Sequence, residues 1–328
     1  RMSKSNVPGV EFVAINSDAQ HLSESNVPIK LQIGEQLTRG LGVGGNPEIG
    51  REAAEESRTN LEQLVDGCDM VFIAAGMGGG TGTGAAPVVA GLAKERGVLT
   101  VAIVTKPFAF EGSQRSKQAE EGAAQLGDLV DCLIFIPNDR LLLLADREMT
   151  ADYAFKLADD VLQEGVLSIA ELVNVPGEIN LDFADVQVVL TGAGTSWIGI
   201  GSGRGEGRAL EAAREALASP LLELPIEGAK RVLYNITGGT DMAMREVRQI
   251  SDYISSRVDP EANIIFGIVT NPDVDDEVRV TVIASDLKAA NPQPIETVDL
   301  ENVLVNSVDP ILSGRETHPV VSWFKKIW

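Results

Sequence analysis

The stretch from Gly76 to Gly84, here named the glycine-rich loop, limits most strongly how this chain can fold. It reads Gly-Met-Gly-Gly-Gly-Thr-Gly-Thr-Gly and lies between the apolar run 70–75 and the helix-like run 85–96. Glycines have no Cβ atoms, so their backbone N–H groups can surround an anion, and a helix N-terminus behind them adds a partial positive charge. A strand, this loop and a helix in succession therefore predict a phosphate-binding site.

Two common phosphate-binding motifs match this loop poorly. The P-loop requires a lysine after its last glycine, and no lysine follows any glycine of this loop. The dinucleotide motif Gly-x-Gly-x-x-Gly can be threaded through Gly76 and Gly78, but any glycine-dense stretch matches it almost automatically. Thr81 and Thr83 instead offer hydroxyl groups to phosphate oxygens. A dinucleotide-binding dehydrogenase is the weaker alternative, since the chain has only two histidines and neither lies near a cleft motif.

Composition restricts the class of protein further. A length of 328 residues suggests two domains, and a net charge of −21 disfavours a nucleic-acid partner, which would need clustered lysine and arginine. The same acidity would repel an anionic ligand, so binding would depend on Mg²⁺, backbone donors and ionic screening. Cys68 and Cys132 form no C-x-x-C site and are predicted to be buried thiols. We expect neither a transmembrane helix nor a signal peptide.

Alternating apolar and helical segments predict an α/β fold with a parallel sheet in the first half of the chain. The predicted strands are 10–16, 70–75, 98–105 and 132–137, with helices at 46–65 and 112–126. An amphipathic helix is predicted over 150–173, and at about 1.5 Å per residue it is long enough to cross a whole domain. Beyond it, strands are predicted at 196–201, 231–236, 264–269 and 277–285.

The glycine-rich loop resembles the signature of the tubulin/FtsZ family, and further motifs favour the FtsZ branch of that family. These motifs occur in the family's order at 14–20, 38–50, 106–112, 136–139, 180–185, 235–239 and 263–267. The resemblance covers residues 1–287. It implies a Rossmann-like parallel-sheet GTPase domain (1–149), a long central helix (150–176), a second, smaller α/β domain (177–287) and a tail (288–328).

The resemblance also implies a function. It predicts a cytoskeletal GTPase that binds GTP and GDP with Mg²⁺, with K⁺ as a further candidate ion, and that polymerises head to tail into the scaffold of a division ring. The alternative is a non-hydrolysing member that regulates the filaments of another subunit. The expected compartment is the cytoplasm at the division site or the plastid stroma, and segments 158–162 and 235–239 are similar to cyanobacterial and plastid members.

The resemblance assigns several groups of residues to the nucleotide. Phosphate contacts are expected from Gly42, Gly44, Gly45, Asn46, Gly78, Gly79, Gly80, Thr81, Gly82 and Thr83. Ribose, phosphate and base-edge contacts are expected from Glu111, Arg115 and Asn138. Phe155 would stack on the base, and Asp160 would accept hydrogen bonds from guanine N1–H and the 2-amino group, which rejects adenine. Asp159 replaces the family's usual asparagine, and it is either a base contact or a helix-surface charge.

Segment 180–185 carries the predicted catalytic residues Asn180, Asp182 and Asp185. Spacing of three places Asp182 and Asp185 on one side of the first turn of a helix. There they could orient water, help to hold a cation, or merely cap the helix. The resemblance favours entry into the nucleotide site of the next subunit and activation of the attacking water. Hydrolysis would then require head-to-tail contact, which propagates into filaments.

The two ends of the sequence raise separate expectations. The family's first strand and first glycine loop have no counterpart before Arg1-Met2, so we expect the sequence to be incomplete there. The tail ends in the apolar and basic segment 320–328. This segment would dock membrane-tethering and regulatory proteins, touch a membrane surface through Trp323, Phe324 and Trp328, or fold back on the body.

Overall fold

The computed structural model of this protein describes residues 9–142, 150–174, 182–219, 226–271, 274 and 276–286. The strands are β1 (Val13–Asn16), β2 (Ile29–Gln32), β3 (Met70–Gly76), β4 (Leu99–Lys106), β5 (Cys132–Pro137), β6 (Gly194–Arg204), β7 (Arg231–Gly238), β8 (Asn263–Thr270) and β9 (Glu277–Ser285). The helices are α1 (Ala19–Glu24), α2 (Glu35–Thr38), α3 (Pro47–Glu56), α4 (Arg58–Val65), α5 (Thr81–Glu95), α6 (Ser113–Gly127), α7 (Asn138–Leu141), α8 (Ala151–Asn174), α9 (Phe183–Leu190), α10 (Arg208–Leu217) and α11 (Met244–Ser255). Asn180 and the predicted tail lie outside the described residues.

One sheet runs through both halves of the described chain, in the order β3-β4-β5-β6-β9-β7-β8. Strands β3, β4 and β5 are parallel, as predicted, and β4 is buried from Leu99 to Thr105 between α5 and α6 on one side and α8 on the other. Only three residue pairs join β5 to β6, which then pairs with antiparallel β9. Because β7 and β8 continue the sheet beyond β9, both predicted α/β units share it.

Strands β1 and β2 form a separate parallel pair. Their side chains Ile15 and Leu31 pack, together with Ile33, against residues of α3, α4 and α5. Val71 of β3 belongs to the same cluster. This small pair is therefore attached to the main sheet through packed helices and apolar side chains.

Helix α8 connects the two halves of the fold, and it lies within one residue of the predicted segment at each end. Leu157 and Val161 belong to its buried stripe, which shares one hydrophobic core with residues of β4, β5, β6, β7 and β9. Gly165 lets the helix approach the sheet closely, since an added Cβ atom would lie 3.2 Å from Ile198 and 3.3 Å from Ile103. The shared core fixes the position of α8 against both halves.

The prediction of a single helix over 46–65 is wrong, because α3 and α4 meet at Ser57. Ser57 has φ −99° and ψ 15°, and its hydroxyl oxygen accepts a hydrogen bond of 3.1 Å from the backbone N–H of Gly34. Gly34 has φ +63° and packs so tightly on Ala53 that a side chain there would collide. A contact with a distant segment, which periodicity does not encode, thus interrupts the helix.

The two thiols differ in environment. Cys132 is buried in β5, whereas Cys68 is only partly buried, so the prediction of two buried thiols is wrong for Cys68. Burial raises the pKa of the Cys132 thiol to about 12, which keeps it protonated and unreactive at neutral pH. In the part of the chain that the structure describes, no helix is both long and apolar enough to cross a membrane.

Candidate functional site

The glycine-rich loop lies at the C-terminal end of β3 and leads directly into α5. Gly78 has φ +91°, and its N–H donates a hydrogen bond of 2.9 Å to the hydroxyl of Thr83. Thr83 is only 3% exposed, so its oxygen shapes the loop from within. Ligands of open α/β sheets bind at this end of the strands, where a helix N-terminus also favours anions.

A second glycine loop, from Gly42 to Asn46, packs directly on the first. A Cβ atom on Gly80 would collide with Val43 and would lie 2.9 Å from the backbone nitrogen of Asn46. The Asn46 side chain caps α3 by accepting a hydrogen bond of 2.9 Å from Glu48 N–H. The fold therefore brings together the two loops that the resemblance assigns to the phosphates.

Space remains open between these loops. Cβ atoms added to Gly44 and Gly45, which have φ of +58° and +78°, would meet no described atom within 4 Å beyond their chain neighbours. A Cβ atom on Gly79 would lie 3.9 Å from Nη2 of Arg115. Glycine backbone, open space and a guanidinium together fit a phosphate chain.

Arg115 is held by Glu111, which was predicted to lie in the same site. Nη1 of Arg115 donates to Oε2 of Glu111 at 2.7 Å, and Oε1 of Glu111 accepts from the N–H of Phe108 at 2.9 Å. The Glu111 side chain is 12% exposed and that of Arg115 is 52% exposed. The carboxylate thus orients the arginine while the guanidinium remains open to an anion.

Ser17 is a site residue that the sequence analysis missed. Its hydroxyl oxygen lies 2.8 Å from that of Thr81, and Ser17 is fully buried. The residue comes directly after β1, at the edge where parallel strands end. Its place after a strand and its place within the family motif 14–20 were sequence signals for it, but nothing local predicts contact with a residue 64 positions away.

The ends of β5 and α8 add a second part of the site. Asn138 follows β5 and is 5% exposed, and its side-chain oxygen has no hydrogen-bond partner among the described residues. Phe155 is 44% exposed, and its ring contacts Phe108 and Phe110 edge to face, with centroid distances of 5.3 and 6.3 Å. Asp139, next to Asn138, accepts a hydrogen bond of 2.9 Å from Ala109 N–H, which joins the two segments. An unpartnered acceptor close to partly exposed aromatic rings suits a heterocyclic base.

Asp159 and Asp160 lie on the next turn of α8 after Phe155. Asp159 is exposed and Asp160 is partly buried. The partly buried residue is the one for which base contact was predicted. The partial burial of Asp160 fits that role better than the exposure of Asp159.

The structure does not bring Asp182 and Asp185 to the glycine-rich loop. Both are exposed at the start of α9, where the N–H of Asp182 donates to Oδ2 of Asp185 at 3.3 Å. The turn after α9 is bound at the opposite end of the strands, since Gly192 N–H donates to the Asp131 carboxylate just before β5. The hydrogen bond between Asp182 N–H and Asp185 shows that Asp185 has the capping role considered for this pair.

Comparison with known proteins places these geometries in a family. Residues 3–146 match the Tubulin/FtsZ family GTPase domain, and residues 194–288 match the FtsZ family C-terminal domain. An empty FtsZ dimer from M. jannaschii is 45% identical, with a TM-score of 0.84 over 87% of this chain and 83% of that chain. The chain belongs to the FtsZ family. The predicted resemblance to FtsZ is confirmed, as is the predicted fold of a GTPase domain, a long helix and a C-terminal α/β domain.

Two further structures share this fold. A single-site mutant of M. jannaschii FtsZ is 44% identical, with a TM-score of 0.85 over 88% of this chain and 86% of that chain. A GDP-bound CetZ1 monomer from Haloferax volcanii, 23% identical, shares the fold with a TM-score of 0.72 over 85% of this chain and 86% of that chain. The protein is thus an FtsZ-family GTPase, while the roles of its individual site residues stay predictions.

Proposed function

We propose that this FtsZ-family GTPase assembles head to tail and hydrolyses GTP where the glycine-rich loop of one subunit meets Asp182 and Asp185 of the next. The observation that carries the proposal is the separation of the two halves of the site. The glycine-rich loop lies at the C-terminal end of β3 with the loop from Gly42 to Asn46 packed on it, whereas the end of α9 is attached to the N-terminal end of β5. A second copy supplies the missing half in a contact that repeats along a filament.

The assemblies of related proteins support a contact between subunits. The M. jannaschii FtsZ structure is a dimer, and CetZ2 from Haloferax volcanii, whose likeness at 21% identity concerns the fold, is described as a GTPγS-bound protofilament. The same contact would build the scaffold of a division ring in the cytoplasm or the plastid stroma. Tethering and regulatory partners would then bind through the tail.

The open space between the two glycine loops would hold the phosphates of GTP. Backbone N–H groups of Gly79 and Gly80 and the hydroxyl of Thr81 would donate to phosphate oxygens, with Arg115 as the charged partner. Ser17 would fix the rotamer of Thr81. These donors offset the repulsion that the net charge of −21 exerts on GTP.

The base would lie between Phe155 and Asn138. Phe155 presents an exposed ring, and Asn138 presents a buried acceptor without a described partner. Asp160 would accept the N1–H and 2-amino hydrogen bonds of guanine, which adenine lacks. Discrimination against ATP is expected to follow from this carboxylate.

Metal binding would depend on the nucleotide itself. Among the described residues, no three His, Cys, Asp or Glu side chains cluster as metal ligands. Bound Mg²⁺ would neutralise phosphate charge and would be held largely by phosphate oxygens and water, as is usual for this ion, with K⁺ as a further candidate. The protein would contribute backbone and hydroxyl donors on the opposite side of the phosphates.

Asp182 and Asp185 would act on the attacking water from the neighbouring subunit. A carboxylate that accepts a hydrogen bond from this water orients its lone pair toward the γ-phosphate and can take its proton. Both side chains are exposed at a helix N-terminus, as an interface role requires. The alternative, a nucleotide-binding regulator without turnover, is disfavoured because both carboxylates are present.

The deciding experiment measures GTP turnover per subunit against protein concentration with Mg²⁺. We expect turnover to begin above a threshold concentration and to be lost in Asp182→Ala, which should still bind GTP. Asp128→Ala removes an exposed carboxylate at the end of α6 and is the matched control. A rate independent of concentration would overturn the shared site, and GTP binding without turnover would favour the regulator.

A further inference from the structure

The turn from Thr191 to Ala193, which joins α9 to β6, is held by one side chain just before β5 and another at the start of β7. Nη1 of Arg231, at the start of β7, donates to the carbonyl oxygen of Thr191 at 2.7 Å and to that of Val189 at 3.5 Å. Nε of Arg231 lies 2.9 Å from the Asp286 carboxylate. A cation on the last carbonyls of a helix satisfies unpaired acceptors and complements the helix dipole.

Asp131 holds the same turn from the other side. Its Oδ1 accepts a hydrogen bond of 3.3 Å from Gly192 N–H, and its Oδ2 accepts one of 3.0 Å from Thr100 N–H in β4. Its carbonyl oxygen also accepts a hydrogen bond of 2.9 Å from Gly194 N–H. A single residue thus links β4, the start of β5 and the turn after α9.

These contacts help to set the positions of Asp182 and Asp185 at the other end of α9. The helix buries Val186, Val189 and Leu190 to 1% exposure or less, which fixes its depth against the sheet. Hydrogen bonds at one end are directional and add a constraint on the rotation of the helix and its shift along the axis. With eight residues the helix is about 12 Å long, so an error at its last turn is transmitted to Asp182.

We infer that Arg231 and Asp131 are positioning residues for catalysis, which set the orientation of Asp182 and Asp185 toward the nucleotide of the neighbouring subunit. This inference rests on the proposed shared site. Neither residue lies at the glycine-rich loop, so GTP binding by the same subunit should not depend on them. Both hold the end of α9, and Asp131 also joins that end to β4.

Single variants give the first test. Arg231→Ala is expected to lower GTP turnover at saturating GTP roughly tenfold to a hundredfold, the loss typical of a catalytic group displaced by about 1 Å. GTP affinity should stay within about twofold, and Arg231→Lys should restore part of the turnover, because an ammonium can still donate to Thr191. Lys230→Ala removes an exposed positive charge one residue earlier and is the matched control.

Mixtures of variants distinguish a misplaced aspartate from a general defect. Gly79→Asp places a carboxylate where the phosphates would bind, and its backbone has room for a side chain. Such a subunit lacks nucleotide but still presents Asp182 to a neighbour. Arg231→Ala mixed with Gly79→Asp should therefore regain turnover above the sum of the parts, whereas Arg231→Ala mixed with Asp182→Ala should not.

Asp131→Ala provides a second variant with the same expected pattern, since it removes the carboxylate that accepts the hydrogen bond from Gly192 N–H. The inference is overturned if folded Arg231→Ala or Asp131→Ala keeps full turnover. It is also overturned if either variant fails to rescue Gly79→Asp or if it rescues Asp182→Ala. The mixture of Asp182→Ala with Gly79→Asp tests the shared site alone. If that pair shows no rescue, the proposed function fails, independently of Arg231 and Asp131.

Discussion

The hydroxyl oxygen of Ser17 lies 2.8 Å from that of Thr81, so the end of the small β1–β2 pair touches the first residue of α5. The two residues are 64 positions apart. In the proposed site, Thr81 is a phosphate donor two residues after Gly79. Ser17 would then determine how Thr81 presents its hydroxyl group.

Replacement of Ser17 by alanine should weaken GTP binding. The loss of one buried hydrogen bond corresponds to about 1 kcal/mol, or roughly a fivefold increase in the dissociation constant. Titration with a fluorescent GTP analogue measures this change, with the exposed Ser23→Ala as control. In a Thr81→Val background the Ser17 substitution should have little further effect, and a fully additive loss would contradict the coupling.

Capping and catalysis by Asp185 can be separated with two substitutions. Asp185→Asn keeps an oxygen acceptor for the N–H of Asp182, so the melting temperature should hardly change while turnover falls about a hundredfold. Asp185→Ala should lose turnover and also about 0.5–1 kcal/mol of stability. Thermal melts and turnover assays on the same samples check both effects. Full turnover in Asp185→Asn would reduce the role of Asp185 to capping.

Glu171 should make stability depend on pH. Burial and the nearby Glu164 raise the pKa of its carboxyl from 4.5 to about 7, and Arg279 opposes this shift. The unfolded chain therefore releases this proton before the folded chain does, and stability falls as pH rises from 4.5 toward 7. A shift of this size corresponds to roughly 3 kcal/mol.

Glu171→Gln removes the titrating group but keeps a neutral side chain of the same shape. Urea unfolding of both proteins should give a stability difference that grows in favour of the variant between pH 5 and pH 8. The exposed Glu227→Gln serves as control. A difference that stays constant with pH would show that Glu171 ionises in the folded protein as readily as in the unfolded chain.

Leu41 should contribute to the contact between subunits. It is 84% exposed, lies between Gly40 and Gly42, which both have positive φ, and precedes the second phosphate loop. Leu41→Glu should raise the threshold concentration for turnover about tenfold, because burial of a leucine is lost and a negative charge is added.

GTP affinity of the Leu41→Glu monomer should stay unchanged, which a binding titration below the threshold concentration can establish. Ile29→Glu is the control, since Ile29 is 37% exposed on β2. Equal thresholds for Leu41→Glu and the unchanged protein would place the subunit contact elsewhere.

Local patterns in the sequence predicted the regular elements well. The strands at 70–75, 98–105 and 132–137 are apolar runs between turns, and α8 shows the spacing of three and four that an amphipathic helix needs. The same patterns failed at Ser57, where a hydrogen bond from Gly34 interrupts the predicted helix. Hydrophobic periodicity indicates which face of an element is apolar, but it does not predict hydrogen bonds to distant segments.

By itself, the sequence determined the succession of strand, glycine-rich loop and helix that predicts a phosphate site, because glycine's freedom at φ +91° and a helix N-terminus are local properties. Its ordered motifs also determined the family. Only the tertiary structure decided that Ser17 meets Thr81 and that Arg231 and Asp131 hold the end of α9. It also decided that Asp182 lies away from the glycine-rich loop. Such relations depend on strand order and on how helices pack across a sheet, which arise from contacts between residues far apart in the chain.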